Sequence, residues 1–369
     1  MSHAKFIQIH FLSNYSSVLL NRDDAGLAKR LLFGGAIRTR ISSQCQKRHW
    51  RQNLSQPDTT VRSQYIFDTK IAEPLVKEGY DAQRVKTVVS IIAGEIAKLD
   101  EAKQKIKTKQ ITVLGKVEID YLYSLAERFL EQKTTDTDIK TAIKSELPNL
   151  KSLVTQAGTS GAMFGRMVTS DMLARVDAAV HVAHAFTVHA QETETDYFTA
   201  LDDLLTEGEM GSAHINHTDL NSGLFYGYVV IDVDLLIQNL GNTEESKTTA
   251  AQLSAELLQL ITTISPGAKK GSTAPYTKAN FVLIEAGNTQ PCSLSNAFMK
   301  PVSTKNDVLQ NTYTSIANYL KQTDGFYGNT NTRIVWGKDL DATTKSNFSA
   351  QDGGSIVNMQ QWIQSQIKA

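Results

Sequence analysis

Between Ala25 and Pro57 the 369-residue chain carries seven cations, Lys29, Arg30, Arg38, Arg40, Lys47, Arg48 and Arg51, and no Asp or Glu. Cations free of neighbouring acids are what a string of phosphates requires, because guanidinium, ammonium and neutral donors satisfy phosphate oxygens. Ser42, Ser43 and Gln44 lie in the same window and supply neutral donors. Lys47 and Arg51 are four residues apart, so on a helix their charged ends share a face. The opposite sign dominates later: from Val176 to Ser246 there is no Lys or Arg but thirteen acids, seven of them between Glu192 and Glu209. Totals hide this division, since 38 Lys and Arg against 38 Asp and Glu leave a formal net charge of +0. A chain with one basic and one acidic segment suits head-to-tail association, which yields rings or filaments rather than two-fold dimers.

Other chemistries find less support. Five of the eight histidines are His181, His184, His189, His214 and His217. His181 and His184 occupy opposite faces of a strand-like run, and no HExxH spacing or cysteine ligand set accompanies them. No metal and no other cofactor is expected. Cys45 has electropositive surroundings that favour a thiolate, but no His/Asn pattern goes with it, and the chain has no G-x-S-x-G elbow. Gly34-Gly35 and the set Gly158, Gly161 and Gly165 match neither the Walker A nor the dinucleotide fingerprint. Met163-Phe164-Gly165-Arg166-Met167 sets flexible apolar side chains beside an arginine, and on composition alone a Met there is more often core than wedge. Binding chemistry without a catalytic signature reads as a protein that is not an enzyme.

The elements that must position these residues can be read from patterning. The hydrophobic fraction of 41% and charged fraction of 21% give a chain able to build a core, excluding disordered, collagen-like and disulfide-scaffold classes. Two well-separated cysteines fit a reducing compartment. With no long apolar run, neither a signal peptide nor a membrane span is expected, and the cytoplasm is the expected location. Lys5–Leu12 reads as a strand leading into a turn-like Ser13–Ser17. Gly34-Gly35 breaks the chain before a strand at Ile37–Ile41, and Ser42-Ser43 caps a helix through Arg51. From about Phe67 to Leu150 the pattern is helical, with a lysine-bearing run, Lys98 to Lys109, read as an exposed face. Strands are predicted at Val180–Val188, Leu224–Asp232 and Asn280–Ile284, and amphipathic helices at Glu244–Ile264 and Ser355–Ile367. The irregular interleaving predicts an α+β fold rather than a doubly wound sheet.

One further pattern is specific. Leu20-Asn21-Arg22-Asp23-Asp24, Phe33-Gly34-Gly35, Arg40-Ile41-Ser42-Ser43-Gln44 and Lys47-Arg48 succeed one another in an order that resembles the backbone subunit of the type I-E CRISPR Cascade complex. The resemblance continues through Gly165-Arg166-Met167, Asp196-Tyr197-Phe198-Thr199-Ala200, Gly211-Ser212-Ala213-His214, Pro266-Gly267-Ala268-Lys269 and Ser295-Asn296-Ala297-Phe298. It implies a modified RNA-recognition (ferredoxin-like) palm over residues 1–66, 156–189 and 223–369, helical fingers over 67–155 and a β-hairpin thumb over 190–222. The implied function is a non-catalytic subunit that polymerises along the CRISPR RNA spacer and presents it for pairing with target DNA in antiviral defence. Its partners would be CRISPR RNA, the target strand, further copies of itself, and the large, small, 5′-handle cap and 3′-hairpin endonuclease subunits. Carried over by position, the RNA-binding set is Arg22, Lys29, Arg40, Ser42, Gln44, Lys47, Arg48, Arg51, Arg166, Met167, Lys269 and Lys270. Phe198, Thr199 and Ile215 would act at the thumb, and Lys140 and Lys144 would touch DNA. Ala36-Ile37 departs from the pattern, which has basic residues there. The rival reading is a metal-dependent endoribonuclease, because related backbone subunits of other CRISPR types cut RNA with a thumb aspartate; Asp196, Asp202 and Asp203 are the candidates.

Overall fold

The computed structural model describes residues 3–55, 60–100, 105–152, 158–166, 176–200 and 214–369. Its strands are β1 (Phe6–Val18), β2 (Arg30–Phe33), β3 (Ala36–Ile41), β4 (Thr60–Ser63), β5 (Thr112–Gly115) and β6 (Val180–Val182). They continue with β7 (Ala185–Thr187), β8 (Glu192–Ala200), β9 (His214–Asp232), β10 (Phe281–Gly287), β11 (Thr332–Gly337) and β12 (Gln351–Asp352). The helices are α1 (Ser43–Arg51), α2 (Glu73–Lys77), α3 (Ala82–Ile96), α4 (Lys116–Glu131), α5 (Asp136–Ser152) and α6 (Thr159–Phe164). After them come α7 (Val233–Asn239), α8 (Glu244–Thr263), α9 (Lys270–Thr273), α10 (Val308–Tyr327), α11 (Ala342–Ser346) and α12 (Ile356–Lys368). The architecture is mixed α+β. Two compact units share the chain: Met1–Leu54, His181–Ile231 and Ala251–Ala369 form the first, Ser55–Val180 and Asp232–Ala250 the second. Among the described residues no helix is long and apolar enough to cross a membrane.

The first unit is built on a mostly antiparallel sheet in the order β12-β11-β10-β1-β9-β7-β3-β2, with β6 and β8 also paired to β9. Alternation along β1 sends Ile7 and Ile9 to one face and Gln8, His10 and Leu12 to the other, all of them buried. The Leu12 face packs Phe186, Tyr226, Phe281 and Val335 under Phe298, Tyr313, Ile316 and Leu320, supplied by the 294–298 turn and α10. The opposite face, with Val282 and Trp336, meets Thr262 of α8 and Met359 of α12. The polar run Ser13–Ser17 stays in β1 rather than turning. Tyr15 anchors it, buried against Phe225 with ring centroids 5.6 Å apart, so tertiary packing overrides the local turn signal. The single strand expected at Val180–Val188 is two, β6 and β7, interrupted at Ala183-His184.

Between β1, β10 and β11 runs a buried polar chain. Arg333 Nε donates to Glu285 Oε1 at 2.6 Å, and its terminal nitrogens hold Asp324 at 2.5 and 2.9 Å. His10 Nε2 lies 3.2 Å from Glu285 Oε2 and His10 Nδ1 lies 2.9 Å from the Tyr226 hydroxyl. An ionised carboxylate can only accept, so Nε2 donates to Glu285. Burial alone raises the Glu285 carboxyl, but hydrogen bonds from His10 and Arg333 outweigh it and hold the pKa below the usual carboxylate value.

The second unit buries Phe67, Ile71, Leu75, Val85, Val89, Ile92, Leu122, Phe129, Ile139 and Ile143 in one core. α3 starts where Asp81 accepts from Arg84 N at 2.8 Å and buries Val85, Val88, Val89, Ile92 and Ile96 along one face. The stretch is not helical throughout. α3 stops at Ile96, Leu99 bridges to Thr108, and β5 pairs antiparallel with β4. Leu114 faces the core from β5, completely buried, and the described residues of the Lys98–Lys109 run, 98–100 and 105–109, lie outside any helix.

Replacing Arg333 by Met leaves Glu285 and Asp324 without their cation, and global stability should fall by about 3–5 kcal/mol in urea unfolding. Because the Glu285 pKa is depressed in the fold, its contribution is complete above the unfolded value near about 4.3 and disappears as pH falls through the lower folded value. Glu285→Gln should therefore flatten the acid limb of a Tm-against-pH curve; an unchanged acid limb would contradict the assignment.

Candidate nucleic-acid interface

The basic segment occupies the β2–β3 side of the first unit. Asp23 Oδ1 accepts from Ala25 N and Leu27 N, both at 3.0 Å, closing a tight loop in which Gly26 takes a φ of +84°. Arg22 and Ala28 face each other across the base of that loop as an isolated bridge. Asn21 ties the loop to the start of α1: its carbonyl accepts from Lys29 N at 2.9 Å and its side-chain oxygen accepts from Ser42 N at 2.9 Å. The two-residue turn Gly34-Gly35 has φ of +59° and +76°, the conformation of a hairpin whose central residues are both left-handed. A Cβ on Gly34 would lie 1.6 Å from the Met299 carbonyl oxygen, so only glycine fits.

α1 begins where Ser42 Oγ accepts from Cys45 N at 3.3 Å and ends with Arg48, His49 and Arg51 in its last turn. Cations there complement the carbonyl end of the helix, each by about 0.3–1 kcal/mol. A second segment joins them: Ala268 N donates to the Leu19 carbonyl at 2.8 Å, bringing the start of α9 beside the end of β1. Lys269 Nζ donates to Thr218 Oγ1 at 2.6 Å, and Lys270 is exposed.

Two titratable groups report the resulting field. Burial pushes the Cys45 thiol up, while Arg48, Lys29 and Lys270 pull it down. Burial lowers the His184 imidazole, and the charges of Arg40 and Lys29 lower it further. Arg40 reaches His184 Nδ1 at 2.8 Å and the Arg30 carbonyl at 3.1 Å. Arginine can only donate, so Nδ1 accepts and the imidazole proton sits on Nε2. Lys29, Arg40, Arg48 and Lys270 thus converge from four separate segments of one unit.

The remaining expected residues divide. Arg22, Gln44 and Arg48 are exposed, Lys47 and Arg51 are half-buried on α1, and Ser42 is buried with its oxygen capping the helix. Arg166 does not lie on a surface at all. It belongs to the second unit, where its guanidinium, 1% exposed, sits 2.7 and 2.6 Å from the two oxygens of a fully buried Glu118. Glu118 also accepts from Gly115 N at 2.8 Å and so caps α4; Arg166 is an interior ion-pair residue. Lys140 and Lys144 are exposed on α5, opposite the buried Ile139 and Ile143. Met167, Asp202 and Asp203 lie outside the described residues.

The described part of the acidic segment includes an antiparallel strand pair. β8 pairs with β9 from Glu192↔Ser222 to Ala200↔His214, which places Thr199 opposite Ile215 and Phe198 opposite Asn216. Glu192, Glu194 and Asp196 alternate along β8, all exposed, and Tyr197 is 63% exposed. Among the described residues no cluster of three His, Cys, Asp or Glu side chains could hold a metal ion. At the position where the sequence departs from the family pattern, Ile37 stands opposite Leu32, and both are exposed.

Sequence reasoning missed the organising role of Asn21 and the interior fate of Arg38. Arg38 is completely buried, donating to the Thr187 and Phe298 carbonyls at 2.9 Å each, with its guanidinium 5.9 Å from the Phe33 ring centroid. The only local signal for this was the position of Arg38 inside β3, between Ile37 and Thr39.

Solved structures share this architecture. A subunit of a CRISPR RNA-guided surveillance complex described as pre-nicking has the same fold, with a TM-score of 0.81 at 25% identity over 98% of this chain and 99% of that one. A chain from another CRISPR RNA-guided surveillance complex matches with a TM-score of 0.73 at 22% identity, again over 98% and 99%. No curated protein matches the sequence. The chain belongs to the family of CT1975-like proteins, whose family model matches residues 7–365.

Removing the Arg40 charge by Arg40→Gln should raise the His184 pKa toward its ordinary value, read by NMR titration of the imidazole. A His184 pKa that stays put would mean that the cation does not face the ring.

Proposed function

We propose that this protein is the CRISPR RNA-binding backbone subunit of a type I-E Cascade complex. The observation that carries the reading is the convergence of Lys29, Arg40, Arg48 and Lys270 on one surface of the first unit, in a family whose similar solved structures come from RNA-guided surveillance complexes. Phosphate and sugar contacts of this kind bind every spacer alike and leave sequence to base pairing. The large sheet of the first unit serves as a modified RNA-recognition palm, residues 67–155 as fingers and the β8–β9 pair as a thumb. Arg22, Gln44, Lys47, Arg51 and Lys269 extend the phosphate track, and Ser42 shapes it through α1. Phe198, Thr199, Ile215 and Met167 displace a base at intervals, while Lys140 and Lys144 touch duplex DNA. Copies stack head to tail along the guide, basic segment toward acidic hairpin, and the large, small, 5′-handle cap and 3′-hairpin endonuclease subunits complete the assembly. The subunit is a scaffold and cuts nothing.

Co-expressed with a CRISPR RNA, the protein should carry RNase-sensitive nucleic acid whose retention falls steeply with salt. Arg48→Glu and Lys270→Glu alter exposed residues and should each lower the retained RNA about tenfold at 0.2 M salt and reduce the log–log salt slope by roughly 0.7 per lost phosphate contact. RNA retention and slope unchanged in both variants would overturn the reading. Mg²⁺-dependent cleavage of bound RNA that disappears in Asp196→Asn would replace the scaffold with a nuclease.

A further inference from the structure

In the first unit a cavity of about 460 Å³ opens beside the Glu285–Arg333 pair. That volume is in the range of small-ligand sites. Gln8 lines it and is only 2% exposed. Its Oε1 accepts from the Tyr228 hydroxyl at 2.6 Å and from Cys292 N at 2.9 Å. A backbone N–H can only donate, so Cys292 fixes the orientation of the amide. With the oxygen so engaged, the side-chain nitrogen is the end of the Gln8 amide left to donate at the cavity wall. At the rim, α10 ends in Phe326 and Tyr327, each 81% exposed, with ring centroids 4.7 Å apart. Two large aromatic rings held in water call for a partner more than scattered exposed aliphatics do.

We propose that this cavity receives an unpaired nucleobase, with the Gln8 amide donating to a ring nitrogen or carbonyl oxygen and Tyr327 stacking on the base face. The wall chemistry selects against the alternatives. A phosphate would meet Glu285 and Asp324, whose only cation there, Arg333, already holds both. A cationic side chain would meet the Arg333 guanidinium and an amide donor on the same wall. A flat neutral ring that carries acceptors answers both the amide donor and the exposed aromatic rim, and stacking tolerates any base. The site takes the base, whereas the cationic surface takes the backbone, and neither needs the other to exist.

Saturation-transfer NMR on the purified full-length protein with adenosine, guanosine, cytidine and uridine tests this without any phosphate present. At least one nucleoside should bind, with a dissociation constant raised tenfold or more by Gln8→Leu and by Tyr327→Ala, the latter a substitution of an exposed residue that leaves the core intact. Ribose 5-phosphate and N-acetylarginine amide should give no transfer. Absence of binding by all four nucleosides, equal binding by Tyr327→Ala, or preference for the arginine amide would sink the proposal. Ultraviolet crosslinking of 4-thiouridine RNA and, separately, of 5-bromodeoxyuridine single-stranded DNA to the peptide bearing Phe326 and Tyr327 identifies which strand supplies the base. Crosslinking by neither, with nucleoside binding intact, assigns the site to the free nucleoside. Because the four nucleosides lack phosphate, a blank with them leaves the RNA-retention result standing, and failed RNA retention leaves the nucleoside result standing.

Discussion

Cations that converge must be held against one another. Water screens a pair of unit charges 4 Å apart to about 1 kcal/mol, which is close to what one helix N-cap contributes. The first unit holds its cluster with neutral bonds of that size. Asn21 ties Lys29 and Ser42 together, Ser42 caps α1, and Ala268 docks on Leu19 to bring in Lys270. None of these bonds neutralises a cation, so the surface keeps its field. Had carboxylates done the holding, the same geometry would have been stable and useless for binding an anion. The absence of Asp and Glu between Ala25 and Pro57 is thus a condition of the arrangement rather than an accident of composition.

The features that could be read from the sequence were those settled within a few residues. Ser42 as the cap of α1 and the amphipathic runs that became α8 and α12 depend on neighbours three and four positions away. The composition of β10, apolar from Phe281 to Ile284, declares a doubly buried strand in the same way. The failures involve partners far along the chain. Ser13–Ser17 looks like a turn until Tyr15 meets Phe225, and Thr112–Gly115 looks like part of a helical stretch until it pairs with Thr60–Ser63. Arg166 looked like a surface cation because Glu118, which claims it, lies far upstream. The cationic surface was legible because its members are dense in one segment, yet the arrival of Lys270 beside them depends on a single backbone bond to Leu19.

The three buried arginines among the described residues show why counting charges misleads. Arg166 meets one carboxylate and Arg333 meets two, so each is cancelled or more than cancelled where it stands. The pKa of Arg333 is raised, since hydrogen bonds and charge from Asp324 and Glu285 outweigh the effect of burial. Arg38 is different. It donates to two carbonyl oxygens and faces the Phe33 ring, with no carboxylate bonded to it among the described residues, and burial lowers its pKa. Carbonyl dipoles and a ring face stabilise a guanidinium without removing its charge.

An uncancelled charge in a medium of low dielectric is felt farther than one in water. Arg38 lies on β3 two residues from Arg40 and is completely buried. A surface arginine in its place would bring a flexible side chain whose ordering costs entropy on binding. Fixed inside, the Arg38 guanidinium has nothing left to order. It also clamps β3 to the Thr187 and Phe298 backbone, which fixes the strand that carries Arg40. The same side chain therefore fixes the strand behind the cationic surface, and the desolvation of one arginine is the cost of that clamp.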